Sequence, residues 1–379
     1  MSTGGSEGIP PHLLTSSPTH GPAKATPTAV LLMNYGGPER AEDCEAYIRN
    51  IFLDPDLIPI PGFVRPLVAR IVGKRRGPVL QKNYEAMGQY SPILAQTVVQ
   101  AKALEAALGE GFTCFVGMRY WTPLIDEVCC AIRAGQFRRV VLLPLYPQES
   151  RATTGSSINE ARRCLEDVGY SGEILEIRSF WEEPGYLQAL TETVQAALDK
   201  APSGARVMFS AHGLPISVAK RDLYPGHIAA TVDAVCQRLH LALDPIEIPG
   251  SWAAREQGAG SGERGEVTGK AKSPHPSTLN PHPPRRASLA WQSKVGPAKW
   301  LTPSVESMLE HWAKEGVKDI VLVPVAFVSE HSETLYELDV LYGGMARALG
   351  MSVTRVPTVQ TAPKFIEALA AKVKRACAP

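Results

Sequence analysis

The chain has 379 residues, 44% of them apolar and 20% charged, with a formal net charge of +1: enough for one large α/β unit or two domains around a substantial core. The near-neutral charge gives no footing for a nucleic-acid partner, and no run approaches the roughly 18 apolar residues that span a bilayer. The seven cysteines are scattered and form no CxxC pair, which fits reduced thiols in a cytosolic protein better than a disulfide framework or a zinc site.

In chain order, residues 1–27 lack both an apolar core and an arginine, and read as a disordered tail rather than a targeting peptide. The run AVLLMNYGGP (29–38) reads as a buried strand ending in a glycine turn. LIPIPGFVRPLVARIVGKRR (57–76) mixes bulky apolar residues with Arg65, Arg70, Lys74, Arg75 and Arg76. Such a segment is an amphipathic helix packed on its domain, or a lip that touches a membrane surface or covers a flat apolar ligand bearing carboxylates. LAQTVVQAKALEAAL (94–108) has helical spacing, and two further strand runs follow, FVGMRYWTP (115–123) and VVLLPLYPQ (140–148). LQALTETVQAAL (187–198) is again helical and leads to the strand ARVMFSAHGLP (205–215). Residues 250–288, rich in Gly, Pro, Ser and charge, read as a disordered insertion. The strand run DIVLVPVAFVSEH (319–331) comes next, and a helix over 361–379 is expected to pack back on the first half.

Strands alternating with helices predict an α/β fold with parallel sheets. An internal echo sharpens this. FRRVVLLPLYPQES resembles VKDIVLVPVAFVSE, MNYGGP resembles SAHGLP, and WTP resembles LTP, with Pro144 following Pro123 at the interval that separates Pro324 from Pro303. Two similar halves, 28–175 and 176–360, are expected, with a cleft facing the strand ends of both.

Of the nine histidines, His12, His20, His275 and His282 fall in low-order segments, and His227, His240 and His311 in helical or loop context. Only His212 and His331 stand at strand ends, where a histidine is a base or a metal ligand near neutral pH, or simply a structural residue bonded to a carbonyl. After Ser329, Glu330, Glu333 and Glu337 would share one face of an α-helix, with no Lys or Arg before Asp339. Carboxylates without counter-charge suggest a path for cations, and with one histidine they suit weak, exchangeable binding of Fe2+. A solvated acidic face near a helix N-terminus is the plain alternative.

SAHGLP, AWQSKVGPAKWLTP and LVPVAFVSEHSETLYELD, together with LLMNYGGP, KRRGPVLQKNYEAMGQYSPI, FVGMRYWTPL and YPQESRATTGSS, are similar to the motifs of ferrochelatases, from about residue 28 to the C-terminus. The resemblance implies two Rossmann-like halves and insertion of Fe2+ into a porphyrin, protoporphyrin IX or coproporphyrin III, with release of two protons late in haem synthesis. It implies that His212 and Glu333 face each other across the porphyrin as catalytic and metal-binding residues, with Glu330, His331 and Glu337 as an acidic path behind. Arg76 and Ser91 would contact propionates, Arg119, Tyr120 and Tyr146 would line the pocket, and Tyr35 would approach the metal face. Arg151 stands where certain relatives carry a cluster-binding cysteine, so no [2Fe–2S] cluster is expected. Tyr35 matches relatives acting on coproporphyrin, whereas the long apolar lip matches those acting on protoporphyrin. The expected setting is cytoplasmic, peripheral at the membrane through the lip, which also offers a surface to haem-pathway enzymes. A porphyrin or haem carrier, and a Co2+ or Ni2+ tetrapyrrole chelatase, are the alternatives on the same fold.

Overall fold

A computed structural model describes residues 27–58, 60–248, 284–294 and 296–378. In it, β1 (Thr28–Asn34) is buried along its whole length and lies between β2 (Phe112–Met118) and β3 (Arg139–Pro144), with β4 (Glu173–Glu176) beyond β3. Every pairing is parallel. Helices cover both faces of such a sheet, which is why its inner strands read as unbroken apolar runs. The second sheet runs β6-β7-β5-β8-β9, made of β5 (Arg206–His212), β6 (Ala242–Leu243), β7 (Arg286–Gln292), β8 (Asp319–Pro324) and β9 (Ser352–Arg355), again all parallel.

Leaving β6 aside, β7-β5-β8-β9 repeats β2-β1-β3-β4 position for position. The echo reaches the corners: Met118 N–H donates to Pro123 O at 2.7 Å, and Trp291 N–H donates to Pro303 O at 2.9 Å. The fold is therefore two parallel-sheet α/β halves. β1 and β5 occupy the same central place, so the turn after Asn34 and the turn after His212 are counterparts.

The α-helices of ten or more residues among the described residues are α1 (Asp43–Leu53), α2 (Arg65–Met87), α3 (Ile93–Leu108), α4 (Ile125–Ala134), α5 (Ser156–Asp167), α6 (Pro184–Leu198), α7 (Tyr224–Leu239), α8 (Val305–Lys314) and α9 (Pro363–Ala376). One apolar core, which includes Val98, Leu104, Val116, Tyr186, Phe209, Val232, Val323 and Phe365, spans both sheets and joins the halves. The outer faces are sealed separately, around Phe115 and Ile158 in the first half and around Trp312 and Leu338 in the second. α9 packs on α3 and α6, and its Lys372 and Arg375 pair with Glu183 at 3.0 and 2.7 Å.

The lip segment is longer than its sequence suggested, because α2 runs on through Pro78 to Met87. It lies close against α1: a Cβ on Gly77 would sit 2.9 Å from the Cα of Glu45, so only glycine permits this approach. The opposite side presents Phe63, Leu67 and Ile71 to solvent, interleaved with exposed Arg70 and Lys74.

The short strands β4, β6 and β9 left no clear signal in the sequence, since each is partly exposed and at most four residues long. β7 corrects the expected insertion. Residues 286–288 belong to a strand that is buried from Ala287 onward, so the insertion does not reach 288. Its remainder up to 283, with His275 and His282, and residues 1–26 of the tail, with His12 and His20, lie outside the described residues. Among the described residues no helix is long and apolar enough to cross a membrane.

Candidate active site

β5 delivers His212 to the carboxyl end of the second sheet. The His212 Nδ1 lies 2.7 Å from the backbone oxygen of Gly213. A carbonyl can only accept, so Nδ1 carries the hydrogen and Nε2 keeps its lone pair. Beside His212, in register on β7, stands Gln292. Its side-chain Nε2 donates to the backbone oxygen of Glu333 at 2.9 Å and to Glu337 Oε2 at 3.1 Å. One glutamine thus ties the strand end carrying the histidine to two of the acids.

The acids do not sit on the α-helix that their spacing suggested. After β8 the chain forms a single helical turn, Ser332–Thr334, and then an eight-residue π-helix, Leu335–Tyr342. π-helical turns are rare and concentrate at functional sites. Glu330 precedes the helix altogether. Its carboxylate bonds to Arg355, at 3.1 Å from Nη1, and to the Thr358 amide at 2.8 Å, while Asp339 binds the same guanidinium at 2.9 Å. The row of acids expected to lack counter-charge therefore has one, supplied by β9. Burial by itself would raise the Glu330 carboxyl, but the arginine and the amide outweigh it and hold Glu330 below the usual range. Glu330 is thus anchored by an ion pair and a backbone amide.

Glu337 is different. Burial and then the charge of Glu333 push its carboxyl up to about 7, against hydrogen bonds from Ser293, at 2.5 Å, and Gln292. His331 uses Nδ1 to accept the Glu333 amide at 3.0 Å, and burial lowers its pKa, so it stays neutral.

The first half holds this acid-bearing loop in place. Gln96 accepts the Glu330 amide at 2.7 Å, and Gln100 bonds the Val328 and Gln360 carbonyls at 3.2 and 2.9 Å. Gln148 reaches the Val325 carbonyl at 3.3 Å.

The first half also carries a wall of phenols. Tyr35 stacks on Tyr120 at 5.6 Å and meets Tyr146 at 5.1 Å, and the Tyr47 hydroxyl donates to the Gly36 carbonyl at 3.1 Å. Gly36 has φ +82°, and an added Cβ would lie 3.0 Å from Met118 and Trp121, so the turn that aims Tyr35 needs glycine. Burial raises the phenol pKa of Tyr35, Tyr47, Tyr146 and Tyr224, and the charge of Glu333 adds to each.

Gln292 thus links the strand end that carries His212 to Glu333 and Glu337, His331 holds the Glu333 amide, and Tyr35, Tyr120 and Tyr146 pack on one another. Arg119 is close by, but its guanidinium is committed to Asp54 at 3.1 Å and to Ser156 at 2.8 Å. Arg76 stands apart, exposed on α2. Ser91 sits between α2 and α3, against Gly37 and the Tyr84 hydroxyl. Sequence reasoning gave no role to Asp54, Tyr47, Tyr84, Tyr224, Gln292, Ser293 or Arg355. Gln292 and Ser293 did lie within the motif AWQSKVGPAKWLTP, and Tyr84 within KRRGPVLQKNYEAMGQYSPI; the others carry no local signal, because their partners are distant in the chain.

An imidazole with a free lone pair, a carboxylate and a near-neutral carboxyl can take up protons and hold a divalent cation weakly. The tyrosine-lined face suits a flat aromatic ligand.

The family model described as ferrochelatase matches residues 27–377. A ferrochelatase of Geobacter metallireducens is 38% identical over 354 residues, covering 92% of this chain and 98% of its own. One from Aquifex aeolicus is 36% identical over 348 residues, covering 91% and 98%. Among solved structures, SirB from Bacillus subtilis with Fe3+ superimposes with a TM-score of 0.51 at 10% identity, covering 93% of this chain and 96% of its own, a likeness of fold.

Proposed function

Because the chain belongs to the ferrochelatase family and is a metal chelatase that inserts Fe2+ into a porphyrin in haem biosynthesis, we propose that His212 and Glu333 are the residues that do so. One observation carries the assignment: Nε2 of His212 is left as an acceptor beside the loop that Gln292 ties to Glu333 and Glu337.

The porphyrin lies between this pair and the phenol wall. Its two N–H protons must leave as Fe2+ enters, and a planar macrocycle shields its nitrogens, so the cleft must hold it distorted. His212 takes a proton at Nε2, and the nearby carboxylates stabilise the imidazolium. Glu333 and His212 serve both metal capture and proton removal. Glu337, with a carboxyl balanced near neutrality, extends the proton path, and His331 orients Glu333 through its amide. Arg76 and Ser91 receive propionates from the lip side. Arg119, Tyr120, Tyr146 and Tyr35 shape the pocket.

The deciding assay is anaerobic Fe2+ with protoporphyrin IX and coproporphyrin III side by side, followed by the change from porphyrin to haem absorbance. Turnover of one over the other assigns the substrate. Binding of both without turnover would make the chain a carrier, and turnover with Co2+ or Ni2+ alone would make it a different chelatase.

The exposed Phe63, Leu67 and Ile71 with Arg70 and Lys74 support a lip that rests on a membrane surface from the cytoplasmic side. Sedimentation with anionic lipid vesicles, lost on Phe63→Ser with Leu67→Ser, tests this. The chain is also taken to lack a [2Fe–2S] cluster, on the scattered cysteines and Arg151. Stoichiometric acid-labile sulfide in anaerobically purified protein would overturn that.

Glu337 gives a pH signature in the metal-free protein. Its carboxyl is raised from the ordinary 4.5 to about 7, so the folded chain keeps a proton that the unfolded chain has released. Its contribution to stability is complete below about 4.5 and is lost as pH climbs to about 7. Calorimetric melting between those limits should show the decline in wild type and a flatter profile in Glu337→Gln. Identical profiles would remove the assignment.

A further inference from the structure

Asp54 lies on the turn that closes α1 and is 2% exposed. Three donors converge on one of its oxygens. The Tyr120 hydroxyl donates at 2.6 Å, Arg119 Nη2 lies at 3.1 Å, and the Ser156 hydroxyl donates as well. The other oxygen accepts the Asp56 amide at 2.8 Å. The same partners also bind each other. Arg119 Nε donates to Ser156 at 2.8 Å, and its guanidinium lies over the Tyr120 ring, 5.0 Å from the centroid. Asn50 of α1 donates to the Tyr120 carbonyl at 3.0 Å.

A buried carboxylate and guanidinium are costly to desolvate, and apolar packing of the same volume is often as stable or more so. What such a network confers is orientation. Its terminus here is Tyr120, whose ring stacks on Tyr35 with an interplanar angle of 18°. Tyr35 in turn meets Tyr146 at 5.1 Å, and the three rings form one aromatic surface, which the mechanism proposed above sets across the porphyrin from His212 and Glu333. Arg119, held by Asp54 and Ser156, acts as part of this scaffold.

Resting on the site assignment above, we infer that Asp54 is a positioning residue for metal insertion. Its carboxylate fixes the Tyr120 ring, and through it Tyr35, so that the macrocycle is held at the distortion needed for insertion. Asp54 touches neither substrate. It acts at one remove, through the phenol wall.

The inference is tested with Asp54→Asn, Tyr120→Phe and the double variant. Each single change should lower kcat about 10- to 100-fold, as expected when a reacting group is slightly misplaced, with KM for porphyrin within about twofold. Each should also shift the Soret band of bound, metal-free porphyrin. Because both act through one bond, the double variant should lose no more than Asp54→Asn alone. Additive losses, or a folded Tyr120→Phe with wild-type kcat and an unshifted Soret band, would overturn the role. If Asp54→Asn does not fold, Tyr120→Phe decides alone, by the same two readouts. Should the wild type bind porphyrin without inserting iron, the assignment of the reaction fails while the Soret comparison still decides the role of Asp54.

Discussion

Replacing His212 by alanine should lower iron insertion by 10²- to 10⁴-fold, the usual contribution of a positioned base, while porphyrin still binds. The size of the effect follows from the tautomer. The Gly213 carbonyl lies 2.7 Å from Nδ1 and takes its hydrogen, so in the neutral ring Nε2 is the acceptor. The other titratable groups of the cluster are poorer substitutes. His331 already spends Nδ1 on the Glu333 amide, and Glu337 has a carboxyl raised to about 7, so about half of it is already protonated at neutral pH. Glu333→Gln keeps the volume but removes the charge felt across the phenol wall, and should cost a comparable factor. Anaerobic turnover followed by haem absorbance, paired with quenching of porphyrin fluorescence on binding, separates chemistry from affinity. Near-normal turnover in either variant would remove that residue from the mechanism.

The second large effect is on stability. Arg355→Met strands Glu330, whose side chain is 8% exposed, and also removes the partner of Asp339. Leaving a buried carboxylate unpaired costs roughly 3–5 kcal/mol. The loss should be read by urea denaturation, and adding Glu330→Gln should restore part of it, since the stranded charge is then gone. No recovery would mean that packing of the arginine stem, not the ion pair, was the main contribution. The pH dependence runs opposite to that of Glu337. A carboxyl held below its ordinary 4.5 contributes fully above that value and loses its contribution as pH falls through the lower native one. Arg355→Met should therefore be less sensitive to mild acid than wild type. Because Glu330 and Glu333 share one short loop, the variant that folds should also turn over slowly.

Much of the scaffold was legible from local chemistry. Strands β1, β2, β3, β5 and β8 are buried on both faces and wrote themselves as apolar runs ending in Gly or Pro. The repeated motifs anticipated that β1 and β5 would be counterparts, and His212 stood out because it ends a strand. The edges were harder. β4 and β9 are short and half-exposed, and β7 emerges from a polar insertion, so neither composition nor periodicity marked them.

The site divided along the same line. That acids follow β8, that a histidine ends β5 and that tyrosines follow β1 and β3 are facts of neighbouring residues, and the sequence alone determined them. Which acid would be an anchor and which a titrating group was decided only by the tertiary structure. β9 lies beside β8 and places Arg355 on Glu330, while β7 lies beside β5 and places Gln292 and Ser293 on Glu337. Those partners are 25, 45 and 44 residues away in the chain. Charge is a property of a residue, but its proton affinity depends on burial and on the groups that strand order brings beside it, and no local pattern encodes that order.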